Sequence, residues 1–396
     1  MKNIYKIEFL NRQRDSRRTI PFAIILYVNT RQENVFLYKH HNRNRKQRKG
    51  RGQILKKAEE SLNKRYGFKR TLNFLKCFIL PLIIYLIFAV GSKGRFGSAG
   101  TMYVLLKQCI FPCLIAWGIS FVMQMGVFDL SPGAVIVLAG IIGGNLAQMT
   151  GTGFAGMILF TMLFGMILTL ITCTVFVFTR LPSLIVSLGM LMIYETLTMV
   201  LFHGGGVSIP ADWRVLYQEP YVFIVLIGVF LIFFFLQNYT RFGYHVRALG
   251  NGTQIAMNIG VNLKKTRYIA FMIEGLFLGL AAVMDMSITG SEIAVTSMLS
   301  CGTAFSAIMA VMVGMYLAKY CGMLLGTFIG AFSLKIIASG MLAFGWSAQM
   351  QKVGNGIFLI VFIGISQNLA LLLSKKAKRQ RKLRLEQEAA QMNARG

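Results

Sequence analysis

Long apolar runs separated by short polar or glycine-rich segments dominate the chain. A membrane-spanning helix needs roughly 20 predominantly apolar residues, fewer where it is broken and sheltered by protein. About ten stretches meet that requirement: 72–90, 101–125, 131–149, 153–178, 182–202, 220–238, 268–286, 297–316, 321–343 and 355–373. The pattern predicts an all-α integral membrane protein of about ten transmembrane helices, some broken or re-entrant. The separator at 125–131 is the least distinct, because Asp129, Leu130, Ser131, Pro132 and Gly133 interrupt the apolar run only briefly. A broken or re-entrant helix fits there as well as a clean loop does.

The chain ahead of the first run reads differently. Residues 21–28 are apolar for only about eight positions, too few to span, and nothing has the form of a cleaved signal peptide. The block 40–51 is strongly basic and stays solvated; it either attracts anionic headgroups or forms a disordered arm, or precedes the true start of translation. At 54–67, Leu55, Ala58, Leu62 and Tyr66 recur at helical spacing among Lys, Glu and Asn, which suits an interfacial amphipathic helix or a plain solvated one. Three parts follow: a basic extension over 1–70, a transmembrane domain over 71–373, and a basic tail over 374–396.

Composition agrees with the runs. Of 396 residues, 55% are hydrophobic and 14% charged, and the mean hydropathy is +0.59. Soluble domains are roughly one-quarter charged, so the soluble globular class is excluded, and so is wholesale disorder. The net charge of +28 first suggests nucleic acid, but its distribution argues otherwise. Residues 1–70 carry 20 Lys/Arg against 5 Asp/Glu, and residues 374–396 carry 8 against 2. With an even number of spans both basic ends share one side. The loops on that side add Arg180, Arg241, Arg247, Lys264, Lys265, Arg267 and Lys319, whereas the other side holds only Lys93, Arg95, Arg214 and Lys352. The positive-inside rule then places both termini in the cytoplasm.

Charge within the bilayer is costly and points to function. Asp129, Glu195, Glu274, Asp285 and Glu292 lie in or beside spans, with Lys107 and Lys335 as candidate partners for Glu195 and Glu274. A proton relay or polar pathway lining is one reading of these acids; interhelical hydrogen bonding or snorkelling is the other. The four histidines lie outside the spans, and there is no HExxH, GxSxG or P-loop pattern, so no enzyme active site and no nucleotide site is expected. The six cysteines show no metal-ligand spacing and read as small buried hydrophobes. His203-Gly204-Gly205-Gly206 reads as a flexible turn.

The longest inner loop, 239–267, is basic and punctuated by glycine. A short helix over 253–259 is expected, with a turn at Gly250-Asn251-Gly252, Thr253 as N-cap and Gly260 as terminator. Such a helix either contacts another protein or rests on headgroups.

At this loop the sequence resembles the permease subunits of bacterial ABC sugar importers of the ribose/xylose type. Their pattern resembles T-R-F-G, then A-x-G-x-N, then A, then S-G-I; here it stands as Thr240-Arg241-Phe242-Gly243, Ala248-Leu249-Gly250-Asn251, Ala256 and Asn258-Ile259-Gly260-Val261. Phe128-Asp129-Leu130-Ser131-Pro132-Gly133 is similar to I-D-L-S-x-G, and Leu181-Pro182-Ser183-Leu184-Ile185-Val186-Ser187-Leu188-Gly189 to L-P-x-x-I-x-T-L-G. Gly326-Thr327-Phe328-Ile329-Gly330-Ala331 resembles G-T-x-I-G-A. Together the four motifs cover about 70–373. One departure stands out. Where the family has a glycine-rich turn, this chain has Val313-Gly314-Met315-Tyr316-Leu317-Ala318-Lys319-Tyr320-Cys321-Gly322, which suggests a divergent subunit paired with a second permease.

The resemblance implies a multi-pass protein of the bacterial cell membrane that forms the pathway for a monosaccharide or similar small polar solute. It also implies a separate ATPase that uses the ATP, an extracytoplasmic solute-binding protein, and a second permease subunit, identical or different. No cofactor is expected on this chain, and no nucleic acid. Arg241, Gly243, Ala248, Gly250, Asn251, Ala256 and Gly260 become the expected ATPase-coupling residues, and Asp129, Ser131, Gly133, Glu195 and Glu274 the expected pathway residues. The alternative is a proton-coupled secondary transporter that uses Glu195 and Glu274.

Overall fold

The computed structural model describes residues 75–92, 96–347 and 350–364. The chain divides into units over Met1–Gly67 and Phe68–Gly396; the first unit, the expected helix at 54–67 and the tail at 374–396 lie outside the described residues.

Helices account for nearly all of the rest. They are α1 (Leu75–Gly91), α2 (Ala99–Gln124), α3 (Pro132–Met149), α4 (Gly153–Thr179), α5 (Ser183–Val200), α6 (Tyr221–Tyr239), α7 (Arg241–Asn251), α8 (Thr253–Asn258), α9 (Leu263–Thr289), α10 (Cys301–Cys321), α11 (Met323–Ala343) and α12 (Met350–Gly364). Eight of them, α2 to α6 and α9 to α11, are long and apolar enough to cross a membrane, and the shorter α1 and α12 overlap the first and last expected runs. In the hydrocarbon layer every backbone polar group needs an internal partner, which is why apolar segments fold as helices there. Side-chain caps supplement this at polar ends: Ser98 accepts from Thr101 N–H (3.1 Å), Thr240 from Gly243 N–H (3.2 Å) and Asn262 from Lys265 N–H (3.0 Å).

The most apolar stretches of α3 and α9 are buried over 72% of their length, that of α6 over only 22%, so α3 and α9 form the centre and α6 the lipid-facing periphery. Helix α9 packs most extensively on α4, and α10 on α11. Small residues let the backbones approach. A Cβ on Gly275 of α9 would lie 2.5 Å from the Gly165 carbonyl oxygen of α4 and 2.6 Å from Met166 Cα, and one on Gly279 would lie 2.5 Å from Met162 Cα. Thr169 Oγ–H reinforces the seam by donating to the Phe271 carbonyl at 2.7 Å.

Two strands, β1 (Val207–Ser208) and β2 (Ser291–Glu292), pair antiparallel with Val207 opposite Glu292. They join the exits of α5 and α9 at the end of the bundle remote from the basic loop. The glycine turn expected to be flexible serves this pair: Gly206 (φ 65°) packs against the Glu292 carbonyl, where a side chain would collide. Five of the six cysteines are buried and Cys321 is half-buried.

Two boundaries differ from expectation. The eighth apolar run was expected to be helical from 297, but α10 starts at Cys301 because Ser297 (φ 61°) and Met298 (φ 59°) take left-handed backbone. At its other end α10 continues to Cys321 through the region where a glycine-rich turn is absent, and Gly322 (φ 82°) makes the reversal into α11.

Candidate functional site

Two interior features converge on α3 and α5. The first is the interruption between α2 and α3, where Met125 through Ser131 leave the helix and Pro132 restarts it. The break is buried: Asp129 is 1% exposed, Ser131 fully buried. Asp129 Oδ1 accepts from Ser131 N–H at 2.7 Å, and Ser183, at the start of α5, accepts from Phe128 N–H at 3.1 Å. Gly133 then meets the Ser300 carbonyl at the entry of α10; a Cβ there would lie 2.8 Å from the carbonyl carbon. Residues 125–131 form a buried non-helical segment between two helices that are each long enough to span.

The second feature is the carboxylate of Glu195. Its Oε1 accepts from Ser300 N–H (2.9 Å) and Ser300 Oγ–H (2.6 Å), and its Oε2 from Met298 N–H (2.7 Å). Three donors therefore satisfy a carboxylate that is 3% exposed. One turn further on, Thr198 Oγ accepts from Val295 N–H at 3.1 Å. Helix α5 thus holds the non-helical run 293–300 at two levels, through residues about 100 positions away in sequence.

Glu274 sits in α9 beside α2, its backbone against Gly118; its side chain is fully buried, and neither oxygen has a hydrogen-bond partner among the described residues. The basic partners expected for these acids are not found there: Lys107 pairs with Glu219 at 3.4 Å ahead of α6, and Glu195 is bound by backbone and hydroxyl donors instead. Glu292, on β2, is buried; that burial, followed by the nearby Asp285, pushes its carboxyl up to about 8.

The basic loop forms two helices rather than one. The single helix expected at 253–259 is α8, ended at Gly260 (φ 87°), but α7 precedes it and runs through Gly250 and Asn251. The turn is confined to Gly252 (φ 148°), which is also the N-cap in place of Thr253. Phe242, Val246 and Leu249 form the buried stripe of α7. Gly250 rests on the Gln124 carbonyl at the end of α2, leaving no room for a side chain. Gln124 Oε1 in turn accepts from Gln237 Nε2–H of α6 at 2.8 Å.

Of the residues singled out in this loop, Gly243 is buried against the end of α6, Ala256 is buried in a helix that packs on α7, Ala248 is half-buried, and Arg241, Gly250, Asn251 and Gly260 are exposed. The large exposed side chains are others: Tyr244, Ile255, Met257 and Ile259. Their signal was present as three apolar residues at alternate positions, 255, 257 and 259, in an otherwise polar segment.

A multi-helix membrane bundle with two broken entries at its centre and a structured basic loop at one end is the architecture of a transport permease. The chain belongs to the family described as branched-chain amino acid transport system / permease component, whose model matches residues 102–365. Among similar proteins is the probable ABC transporter permease protein YphD of Escherichia coli (strain K12), 24% identical over 81% of this chain and 97% of its own. The ribose import permease protein RbsC of the same strain is 25% identical over 76% of this chain and 95% of its own. The autoinducer 2 import system permease protein LsrC of Yersinia pestis (strain Pestoides F) is 26% identical over 78% of this chain and 88% of its own. The chain is accordingly a multi-pass inner-membrane permease and not an enzyme.

Proposed function

We propose that this chain is a translocation subunit of an ATP-driven importer for a monosaccharide or a similar small polar solute. It works with a second permease subunit, a separate ATPase and an extracytoplasmic binding protein, and it holds no cofactor, since the ATP is used by its partner. Both termini and the α7–α8 loop are cytoplasmic in this reading.

The observation that carries the proposal is the loop. Ile255, Met257 and Ile259 are 64%, 42% and 69% exposed at the basic end, outside the spanning helices. Exposed apolar side chains on a structured loop mark a contact surface, which this reading assigns to the ATPase. Gly243, Gly250 and Ala256 act on the opposite side, seating the loop on the bundle. ATPase movement then reaches the interior through α2: Gly250 presses on Gln124, α2 runs into the break at Asp129–Ser131–Gly133, and Gly133 abuts Ser300. A permease's states interconvert because partners bind them differently, so this line of contacts is what an ATPase would bias.

The proton-coupled alternative gains nothing from Glu195, whose oxygens are already occupied by three donors. The test is Ile259→Asp, alone and with Ile255→Asp, in the assembled complex. Loss of transport-coupled ATPase stimulation with normal membrane assembly is expected. Full coupling in the double variant would overturn the assignment.

A further inference from the structure

Residues 293–300 leave β2 and turn back into the bundle. Along α3, Glu292 lies against Gly140 and Ser300 against Gly133, a difference of seven residues or about 10 Å of helix. Along α5, Val295 is held at Thr198, and Met298 and Ser300 at Glu195. Helix α5 (Ser183–Val200) extends twelve residues to one side of Glu195 and five to the other, so both anchoring levels lie within its length. The turn at 296–298 is therefore non-helical backbone within the spanning layer.

It is not covered by the rest of the chain. Thr296 and Ser297 are exposed, and Met298 is 39% exposed. Among the described residues, neither the Thr296 nor the Ser297 amide has a protein partner; the same is true of the Ser297 carbonyl and of both hydroxyls. Lipid cannot satisfy such groups, and irregular backbone at membrane depth persists only inside protein or against water. The left-handed conformation of Ser297 and Met298 is held in place by the Glu195 carboxylate. No residue from 293 to 300 is charged.

We propose that the turn at 296–298 is a wall of the translocation pathway and contacts the passing solute, with Glu195 as its positioning residue. The proposal rests on reading the chain as a permease. Its free amides and hydroxyls exchange water for the hydroxyls of an uncharged polar solute, and the absence of fixed charge keeps that contact weak enough to release.

The full chain in membranes with its partners tests this, with Ser297→Cys labelled by the charged thiol reagent methanethiosulfonate ethyltrimethylammonium. The native cysteines, buried or half-buried, give a low background. Leu231→Cys, on the outer face of α6 and 57% exposed, is the lipid-facing control. Labelling of Ser297→Cys should be at least about ten-fold faster than of the control, because a thiol in hydrocarbon neither ionises nor meets the reagent. Equal rates, whether from lipid cover or from a dry contact with a second copy, overturn the proposal. Thr296→Cys serves if Ser297→Cys does not assemble.

Glu195→Ala should change the labelling rate at position 297 several-fold, and Glu195→Gln should restore part of it. A residue needed only for folding would reduce the amount of protein and leave the rate of the folded fraction unchanged; that result would remove Glu195 from the proposal. An ATPase in the complex indifferent to this chain would undo the ATP-driven reading without altering the labelling.

Discussion

The seam between α4 and α9 makes a quantitative prediction. At Gly275 a methyl group would sit 2.5 Å from the Gly165 carbonyl oxygen and 2.6 Å from Met166 Cα, and would also strike Thr169 Oγ. Carbon contacts relax to about 3.5 Å, so the helices must separate by roughly 1 Å in Gly275→Ala. That movement stretches the 2.7 Å bond from Thr169 to the Phe271 carbonyl beyond hydrogen-bonding range. An interhelical hydrogen bond in a membrane protein contributes about 0.6 kcal/mol, and overpacking costs about 1–3 kcal/mol. The better helix propensity of alanine returns about 0.5–1 kcal/mol. The net expectation is a loss of roughly 1–3 kcal/mol, with Gly275→Leu worse. Gly228 of α6 is the control, since nothing lies within 4 Å of its added methyl, and Gly228→Ala should be neutral or slightly stabilising. Reversible unfolding in mixed dodecylmaltoside–dodecylsulfate micelles, read by circular dichroism, measures both. If Gly275→Ala is no less stable than Gly228→Ala, the close backbone approach of α4 and α9 is wrong.

Other consequences can be checked in the same preparation. Glu292 holds a proton in the folded chain up to about pH 8, against an ordinary value of 4.5, so folding stability should fall as pH rises between those values. Glu292→Gln should flatten that dependence, and an unchanged slope would count against the buried carboxyl. Gly250→Leu should lift the loop from Gln124 and expose Ala256, seen as faster labelling of Ala256→Cys; no change would mean the loop is not seated there. Lys107→Gln should leave stability nearly unchanged, because Glu219 is half-exposed and a solvated pair contributes little. A clear loss would put the weight on Lys107 Nζ over the Tyr217 ring, 4.6 Å from its centre.

How far these features could be read from the sequence depended on the range of the interaction responsible. Spans were legible because the bilayer imposes one requirement over about 20 consecutive residues. The break at Asp129 and Ser131 was legible as a polar interruption followed by Pro132, a local signal. Helix α7 was overlooked although its stripe, Phe242, Val246 and Leu249, follows helical spacing, because the polar and glycine residues around it read as loop. The run 293–300 was legible only in its first half: 293–296 fell outside the expected spans, whereas Ser297 to Ser300 read as the start of one, and the carboxylate that holds their amides lies on another helix. The same distance problem hid the partners of the acids: Lys107 was plausible by composition, but backbone donors near Ser300 are invisible until the chain is folded.

The departure from the family's glycine turn is clearer in three dimensions. Losing those glycines does not open the α10–α11 hairpin, since Gly314 still lies against Thr327, with a Cβ there 2.6 Å from Thr327 Cα, and Gly326 against the Gly314 carbonyl at 2.5 Å. Helix α10 runs on at its basic end through Met315, Tyr316, Leu317 and Ala318, as one continuous rod from Cys301 to Cys321. Its other end is the Ser300 entry that Gly133 touches and Glu195 caps. A rod transmits displacement along its axis with little loss, whereas a glycine-rich turn absorbs it by changing dihedral angles. The far side of the junction that α2 and α3 enter from the loop is therefore an unbroken helix. Under the proposed function, force applied at Gly250 would reach the turn at 296–298 between two stiff elements. The compliance left in that path is the break at Asp129 and the left-handed pair Ser297 and Met298, the two places where the backbone is not helical.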